Sequence, residues 1–378
     1  MTDIFQGETQ PTPLLDQAIA AIEPLDSAAQ AAARLHQDDL TKPPGSLGRL
    51  EEIGVQLAGI RRRDGELLGP AAVLVCAADH GVAAEGVSAY PAEVTPQMVL
   101  NFLGGGAAIN VLARQVGARV VVLDVGVAAD LPPHPSLLAR KVRPGTASIV
   151  SGPAMTREEA RAAVEAGIEA VWALHDEGVE ALAVGDMGIG NTTAASAVVA
   201  AVTGAAASEV VGRGTGVDDA GLTRKVGAVD AAVRRAMAHL DITDGLAVVA
   251  ELGGLEIAAI AGAVLGAASR RMVVVIDGHP STAGALVASL LCPAATAYVI
   301  GGHRSVERGH RLALARLGVV PLLDLDLRLG EGTGACLALG LVQAAARLSA
   351  EMATFSSAGV SGPTGEVDDG RGTVALPG

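Results

Sequence analysis

The residues best suited to chemistry lie in two glycine-rich stretches, and the first covers residues 185–193. It follows an apolar run and precedes an apolar helical pattern, with Asn191 or Thr192 as the expected N-cap. A strand, a glycine loop and a helix start direct several backbone N–H groups and a helix dipole at one point, which favours an anion. A tight turn alone would also explain the glycines. The side chains of residues 191–193 add donors that a turn does not need, so we favour a phosphate site.

Known nucleotide signatures do not account for this loop. The spacing of Gly185, Gly188 and Gly190 differs from the dinucleotide-binding fingerprint. No Gly-Lys followed by Ser or Thr occurs in the chain, which excludes a Walker-type loop. A different phosphate-bearing ligand is therefore required.

The second stretch places one carboxylate between glycines. Glu331 stands between Gly330 and Gly332, just before a helical pattern over residues 335–347. We expect this side chain to face a pocket and not to cap a helix or join a salt bridge. There it could act as a general base or stabilise a cationic centre. A solvated loop carboxylate is the alternative.

Other reactive residue types give weaker signals. His303 and His310 lie close to several arginines, which disfavours a metal, so we assign them to structure or anion contacts. The three cysteines have neither metal-ligand spacing nor an even number, as in a reduced, cytosolic protein. Lys42 and Arg49 flank a turn rich in proline and glycine, which predicts either two presented cations or a linker.

The elements that would carry these residues alternate between apolar runs and helical patterns. Runs without in-and-out alternation, separated by helices, predict a parallel sheet covered on both faces, an α/β fold. Helices are also expected at 14–22, 27–35 and 50–61, and a buried helix pair at 246–268. The predicted strands are 72–77, 119–125, 179–184, 272–276, 296–300 and 319–323, and the predicted helices between them are 97–116, 157–176, 192–202, 228–240, 281–291 and 306–317.

Polar and glycine residues follow most of these strands. The loops concerned are 79–81, 185–193, 277–279, 301–305 and 324–334. In a parallel sheet the carboxyl ends of the strands share one edge, where ligands bind. We therefore expect these loops to converge on one active site.

Composition excludes several classes of protein. Of 378 residues, 50% are hydrophobic but 2% aromatic, and the net charge is −14 with Lys42, Lys141 and Lys225 as the lysines. An acidic chain with few aromatic residues lacks the features of a nucleic-acid binder. The acidic N-terminus does not resemble a signal peptide, and Glu251 and Glu256 interrupt the longest apolar stretch. We expect a cytoplasmic protein without a membrane span.

Long, specific motifs extend from residue 42 to residue 361. They cover residues 42–51, 79–82, 86–91, 93–95, 101–102, 105–110, 185–193, 212–216, 277–278 and 325–335. Together they resemble the nicotinate-nucleotide:dimethylbenzimidazole phosphoribosyltransferase family.

The resemblance implies an enzyme of cobalamin biosynthesis. It would join nicotinate mononucleotide to 5,6-dimethylbenzimidazole, giving α-ribazole 5′-phosphate and nicotinate. The implied architecture is a parallel Rossmann-like domain, a smaller helical domain from both chain ends, and a homodimer. We place the small domain at residues 1–66 and 334–358, the large domain at 67–333, and a disordered tail at 359–378.

The resemblance also implies roles for residues. Glu331 matches the catalytic base, and the 185–193 loop with Lys225 matches the phosphate contacts. Ser305 would contact the nucleotide, and Gln97 and Met187 would lie near the base pocket. No cofactor and no metal are expected. The expected substrate-binding residues are Gln97, Asp186, Met187, Gly188, Gly190, Asn191, Thr192, Lys225, Asp277, Ser305 and Leu329.

The chain departs from the family pattern in ways that bear on substrate preference. Asp186 stands where Glu is common, and His279-Pro280 replaces Phe-Ile. A stretch beginning Ser-Ala-Glu-Pro is common where this chain has residues 305–308. Two other functions remain to be distinguished. A non-catalytic sensor of α-ribazole phosphate or a benzimidazole would have no need of Glu331, and a dinucleotide-dependent oxidoreductase would need the missing fingerprint.

Overall fold

The computed structural model describes residues 12–362 and contains one parallel sheet of seven strands, ordered β3-β2-β1-β4-β5-β6-β7. The predicted parallel sheet with helices on both faces is confirmed. The predicted tail lies almost wholly outside the described residues. The strands are β1 Ala71–Ala78, β2 Ala118–Gly126, β3 Leu137–Ala139, β4 Ala181–Met187, β5 Val273–Ile276, β6 Val299–His303 and β7 Pro321–Leu323.

Helices connect the strands and cover the sheet. Short 3₁₀ turns lie at Gly81–Glu85 and Pro293–Tyr298. The α-helices are α1 Leu14–Ala21, α2 Ser27–Asp39, α3 Arg49–Arg61, α4 Val94–Leu103, α5 Ala108–Gln115, α6 Arg157–Asp176, α7 Asn191–Thr203, α8 Ala207–Val210, α9 Asp219–Met237, α10 Gly245–Leu252, α11 Leu255–Ser269, α12 His279–Leu291, α13 Arg308–Leu317, α14 Thr333–Glu351 and α15 Phe355–Ala358.

Several predicted elements differ from those observed. The helix predicted at 97–116 is two helices, α4 and α5, because glycines at 104–106 end the first one. The strand predicted at 296–300 begins as a 3₁₀ turn and continues to His303. The helix predicted at 228–240 covers the second part of α9, whose polar first half hid its start. β3, a short edge strand, was not predicted.

The centre of the sheet is buried on both faces. All eight residues of β1 and all four of β5 are buried, which explains their continuous apolar sequences. The chain runs from β1 outward to β2 and β3, then returns to β4 on the other side of β1. The carboxyl ends of β1 and β4 therefore form a topological switch point, where ligands bind in such sheets.

The two ends of the described chain meet. α3 packs on α14, and the Thr41 N–H donates to the Ala353 carbonyl at 2.9 Å. Lys42, expected to present its charge or to lie in a linker, is buried and pairs with Glu51 at 2.7 Å, so the presented cation is wrong for this residue. The proposed division into two domains stays a prediction.

α14 is the one helix within residues 12–362 with the length and apolar composition to cross a membrane. It packs against α3 and against β4, β5 and β6 of the sheet. Those contacts are typical of a core helix.

The buried helix pair predicted at 246–268 is observed as α10 and α11, and α11 packs very closely on α6. A Cβ at Gly262 would lie 1.8 Å from the Val164 carbonyl oxygen, and one at Gly167 would lie 1.9 Å from the Ala259 carbonyl oxygen. Neither backbone can move without separating the two helices. These glycines therefore fix the distance of α6 and α11 from each other.

Gly262→Ala is expected to lower the free energy of unfolding by about 1–3 kcal/mol or more, because it overpacks a backbone contact. Gly227→Ala is the matched control, since no atom lies within 4 Å of the Cβ it would add to α9. That control should be neutral or stabilise by up to about 1 kcal/mol. Urea unfolding of both variants tests this, and equal stabilities would contradict it.

Candidate active site

The 185–193 loop begins in β4 and leads directly into α7. Gly190 is the N-cap of α7 and has φ +96°, a conformation that favours glycine. The expected capping by Asn191 or Thr192 is therefore wrong. The Asn191 amide instead donates to Asp186 Oδ2 at 2.8 Å, and the Ile189 N–H donates to Thr95 Oγ1 at 3.1 Å. Side chains on both sides thus fix the loop.

A cavity opens to solvent at the carboxyl edge of the sheet, and the space free of protein atoms there is ≈ 690 Å³, open solvent included. The loops after β4, β5, β6 and β7 line it, as the sequence predicted, whereas the 79–81 loop does not. From outside these loops it gains Gly214 and Thr215. The expected residues that line it are Asp186, Met187, Gly188, Asn191, Thr192, Asp277, Ser305 and Leu329.

Lys225 reaches this loop from α9. Its ammonium donates to Thr192 Oγ1 at 2.7 Å, and the residue is 1% exposed. Burial lowers the pKa of Lys225 to about 8, and the nearby negative charge of Glu307 opposes that shift. A cation with one hydrogen-bonded partner beside a helix N-terminus suits an anionic ligand.

Glu331 lies at the end of the last loop, before α14. Its φ is +62°, unusual for a residue other than glycine, and it is 5% exposed. Its Oε2 accepts the Ile109 N–H of the first turn of α5 at 3.3 Å. As expected, Glu331 is not an N-cap, since Gly332 caps α14 and Ala107 caps α5. That its side chain faces a pocket stays a prediction. Burial raises the pKa of Glu331 and the hydrogen bond from the Ile109 N–H opposes the rise, so the carboxylate is a stronger base than an exposed glutamate.

Further carboxylates lie close to Glu331. Burial raises the pKa of Asp186 to about 8, and the negative charges of Asp277, Glu256 and Glu331 add to the shift. Burial also raises the pKa of Asp277 to about 6, against hydrogen bonds from backbone N–H groups. Such a cluster can accept a proton and can stabilise positive charge in a ligand.

The remaining predicted residues take different positions. Ser305 lines the cavity and donates its backbone N–H to His310 Nδ1 at 2.9 Å. Leu329 is 58% exposed at the mouth of the cavity. Gln97, which is exposed on α4, and Gly190, which is buried, are not among the residues that line the cavity. The role of Gln97 near a base pocket stays a prediction.

The two histidines assigned to structure or anion contacts hold loops in place. His303 Nε2 accepts the Leu325 N–H at 2.8 Å. His310 Nε2 lies 2.9 Å from Thr282 Oγ1. Burial lowers the pKa of both histidines, so both are neutral near pH 7. Within residues 12–362, no group of three or more His, Cys, Asp or Glu residues could hold a metal ion.

Sequence reasoning missed two features of the site. His80 lies beneath Gly188, where its Nε2 is 2.8 Å from Glu256 Oε1, and both side chains are buried. Glu307 accepts the Gly214 N–H at 2.8 Å. Glu256 interrupts an apolar stretch, and that interruption is the signal in the sequence that could have identified a buried, partnered carboxylate.

Asp186→Asn is expected to be more stable than the wild type above about pH 8. The folded chain holds the pKa of Asp186 at about 8, so it binds a proton that the unfolded chain releases above about pH 4. The wild-type free energy of unfolding therefore falls as the pH rises between these values. Asparagine does not titrate. At pH 8.5 the free energy of unfolding of the variant should therefore exceed that of the wild type by at least about 1.4 kcal/mol, which corresponds to a pKa shift of one unit.

Urea unfolding at pH 5.5, 7.0 and 8.5 tests this expectation. Asp130→Asn, which removes an exposed carboxylate, is the control and should follow the wild type. Parallel pH profiles for Asp186→Asn and the wild type would contradict the raised pKa.

Comparisons with known proteins agree with this geometry. A family model described as phosphoribosyltransferase matches residues 22–360. The nicotinate-nucleotide–dimethylbenzimidazole phosphoribosyltransferase of Chloroflexus aurantiacus is 60% identical over 92% of this chain and 99% of its own length. The protein of the same name from Desulforudis audaxviator is 55% identical over 92% of this chain and 98% of its own.

A solved structure also matches. The enzyme of that name from Thermus thermophilus superposes with a TM-score of 0.84 at 54% identity, covering 90% of this chain and 100% of that one. Family model, sequence identity and fold agree over most of the chain. The chain belongs to the nicotinate-nucleotide–dimethylbenzimidazole phosphoribosyltransferase family.

Proposed function

We propose that this enzyme transfers the phosphoribosyl group of nicotinate mononucleotide to 5,6-dimethylbenzimidazole, forming α-ribazole 5′-phosphate and nicotinate. The observation that carries this proposal is the arrangement of one edge of the sheet. A buried carboxylate, Glu331, lies at the same edge as the 185–193 loop and Lys225. A proton acceptor and a phosphate site at one edge are what this transfer needs.

The chemistry requires one base. In nicotinate mononucleotide the ring nitrogen is a glycosylated pyridinium, so nicotinate leaves with a neutral nitrogen and needs no general acid. One nitrogen of dimethylbenzimidazole attacks C1′ from the opposite face, which converts the β configuration to α. The other nitrogen loses its proton. Glu331 is our candidate acceptor, because burial raises its pKa.

The phosphate would lie at the other end of the site. Lys225, the Thr192 hydroxyl and the N-terminus of α7 supply a charge, a donor and a helix dipole. Ser305 lines the same cavity. We assign Met187 and Gln97 to the benzimidazole side, following the family resemblance.

We further propose that the enzyme is a cytoplasmic homodimer. Leu100 on α4 and Val111 on α5 are 47% and 53% exposed, and Tyr90 just before α4 is 54% exposed. A contiguous patch of exposed apolar side chains is typical of a surface that another chain covers, and these three residues are our candidates for such a patch. Light scattering after size exclusion measures the oligomeric state.

Release of nicotinate tests the reaction. Wild-type enzyme mixed with nicotinate mononucleotide and dimethylbenzimidazole should form nicotinate and α-ribazole 5′-phosphate in equal amounts. A non-catalytic sensor would bind one of these ligands without turnover. The buried carboxylate at residue 331 favours the enzyme.

Glu331→Gln is expected to lower turnover by about 10²- to 10⁴-fold, because it removes one general base. Affinity for nicotinate mononucleotide should change little, since an amide of the same size can still accept the Ile109 N–H. Steady-state kinetics and calorimetric binding measure the two effects. Glu169→Gln, exposed on α6, is the control. Wild-type turnover in Glu331→Gln would refute the role of this residue.

Lys225→Ala is expected to weaken nicotinate mononucleotide at least about tenfold more than nicotinate riboside, because only the former carries the anion. Since the pKa of Lys225 is about 8 in the free enzyme, wild-type affinity for the mononucleotide should fall above that pH. The variant should lose this dependence.

Lys141→Ala provides the matched control, because Lys141 contacts Asp124 and the Ala129 carbonyl outside the cavity. Calorimetry with both ligands between pH 6.5 and 9.5 separates the possibilities. Equal losses for mononucleotide and riboside would give Lys225 a structural role.

A further inference from the structure

The carboxylate of Asp277 is occupied by the backbone that carries Glu331. Asp277 follows β5 and is 4% exposed. Its Oδ2 accepts the Gly332 N–H at 3.1 Å. Its Oδ1 accepts the Gly334 N–H at 2.7 Å and the Ala335 N–H at 3.0 Å. An aspartate from a distant strand thus caps the N-terminus of α14, whose first N–H groups have no partners within the helix.

The residue just before this capped segment is under conformational strain. Glu331 has φ +62°, and the Gly332 that follows has φ +90°. A left-handed conformation costs a residue other than glycine about 1–3 kcal/mol and persists only where the surroundings impose it. Something outside the loop must therefore hold residues 331 and 332.

Neighbouring backbone supplies part of this constraint. The Glu331 N–H donates to the Asp186 carbonyl at 3.3 Å. On the other side of the loop, a Cβ at Gly185 would lie 2.4 Å from the backbone of Glu331 and Gly332. The peptide therefore rests directly on β4, but sterics and one long hydrogen bond do not fix its direction along the strand.

Asp277 supplies the missing constraint. Its hydrogen bonds begin at Gly332, the residue after Glu331, and continue into the first turn of α14. Charge-assisted hydrogen bonds of this kind are about twice as strong as neutral ones. Both carboxylate oxygens are directed at the loop, and both are engaged there.

We propose that Asp277 is a positioning residue for Glu331, which holds the start of α14 so that the Glu331 carboxylate faces the reacting nitrogen. This inference rests on the proposed role of Glu331 as the base. It differs from the expectation that Asp277 binds substrate, because it predicts an effect on turnover and not on ligand affinity.

Asp277→Asn is the variant that tests this inference. The amide keeps the volume of the side chain, but it replaces one acceptor with a donor that faces backbone N–H groups. The loop should shift, and a displacement of about 1 Å in a catalytic group can cost about 10²-fold in rate. We expect turnover to fall by about that factor, with the dissociation constant of nicotinate mononucleotide within about threefold of wild type.

A double-mutant cycle identifies the residue through which Asp277 acts. Once Glu331→Gln has removed the base, misplacing residue 331 should cost nothing more. We therefore expect Asp277→Asn/Glu331→Gln to turn over within about threefold of Glu331→Gln. Multiplied losses in the double variant would overturn the inference. So would a weaker affinity for the mononucleotide in both backgrounds, which would indicate direct contact with substrate.

Asp124→Asn is the matched control. Asp124 is buried in β2 and likewise accepts two backbone N–H groups, those of Gly126 and Val127, but it does not line the cavity. The Asp124→Asn variant should have a lower midpoint of thermal unfolding but unchanged turnover. If it reduced turnover per folded molecule as Asp277→Asn does, the effect would be general destabilisation and the inference would fail.

Ser281→Ala is a milder second variant, should Asp277→Asn not fold. The Ser281 hydroxyl accepts the Asp277 N–H at 3.0 Å and lies outside the cavity lining. The Ser281→Ala variant should reduce turnover several-fold, and only when Glu331 is present. Its affinity for nicotinate mononucleotide should not change. Wild-type turnover in this variant would overturn the inference. Wild-type turnover in Glu331→Gln alone would instead overturn the base assignment.

Discussion

The structure depends on the close approach of the 330–334 segment to Gly185 in the central strand. The Cβ of any other residue at position 185 would lie 2.4 Å from the backbone of Glu331. The peptide that carries the candidate base is therefore seated on β4, which pairs with β1 and β5 in the buried centre of the sheet. Because packed interiors deform little, the sheet fixes the distance of this segment from β4.

The site carries acidic side chains at one end and a basic side chain at the other. Asp186, Asp277 and Glu331 converge at one end, where burial disfavours the ionised form of each carboxyl and raises its pKa. At the other end lies Lys225, whose burial disfavours its own positive charge. A ligand with a cationic ring and an anionic phosphate relieves both costs in one orientation only. The charge pattern thus orients the mononucleotide that we propose as substrate.

Sequence patterns predicted the elements whose stability is local. Continuous apolar runs identified the central strands, and α6 was predicted at its observed bounds, because its capping box and periodicity lie within one segment. The pattern failed where side-chain contacts outside a helix or strand decide. Glu331 accepts the N–H of Ile109, which is remote in the chain, whereas Lys42 pairs with Glu51 across a turn. The Asn191 amide donates to Asp186 in the same loop and does not cap α7. The three-residue strand β3 depends on β2.

Asp186 connects the two halves of the site. Its side chain accepts the Asn191 amide within the 185–193 loop, and its carbonyl accepts the Glu331 N–H of the 324–334 loop. With a pKa of about 8, its carboxyl is largely protonated near neutral pH, so it adds little negative charge to a crowded acidic cluster. Ionisation would repel Glu331 and strengthen the contact with Asn191 at the same time. Both loops therefore contact this one residue, one through its side chain and the other through its backbone carbonyl.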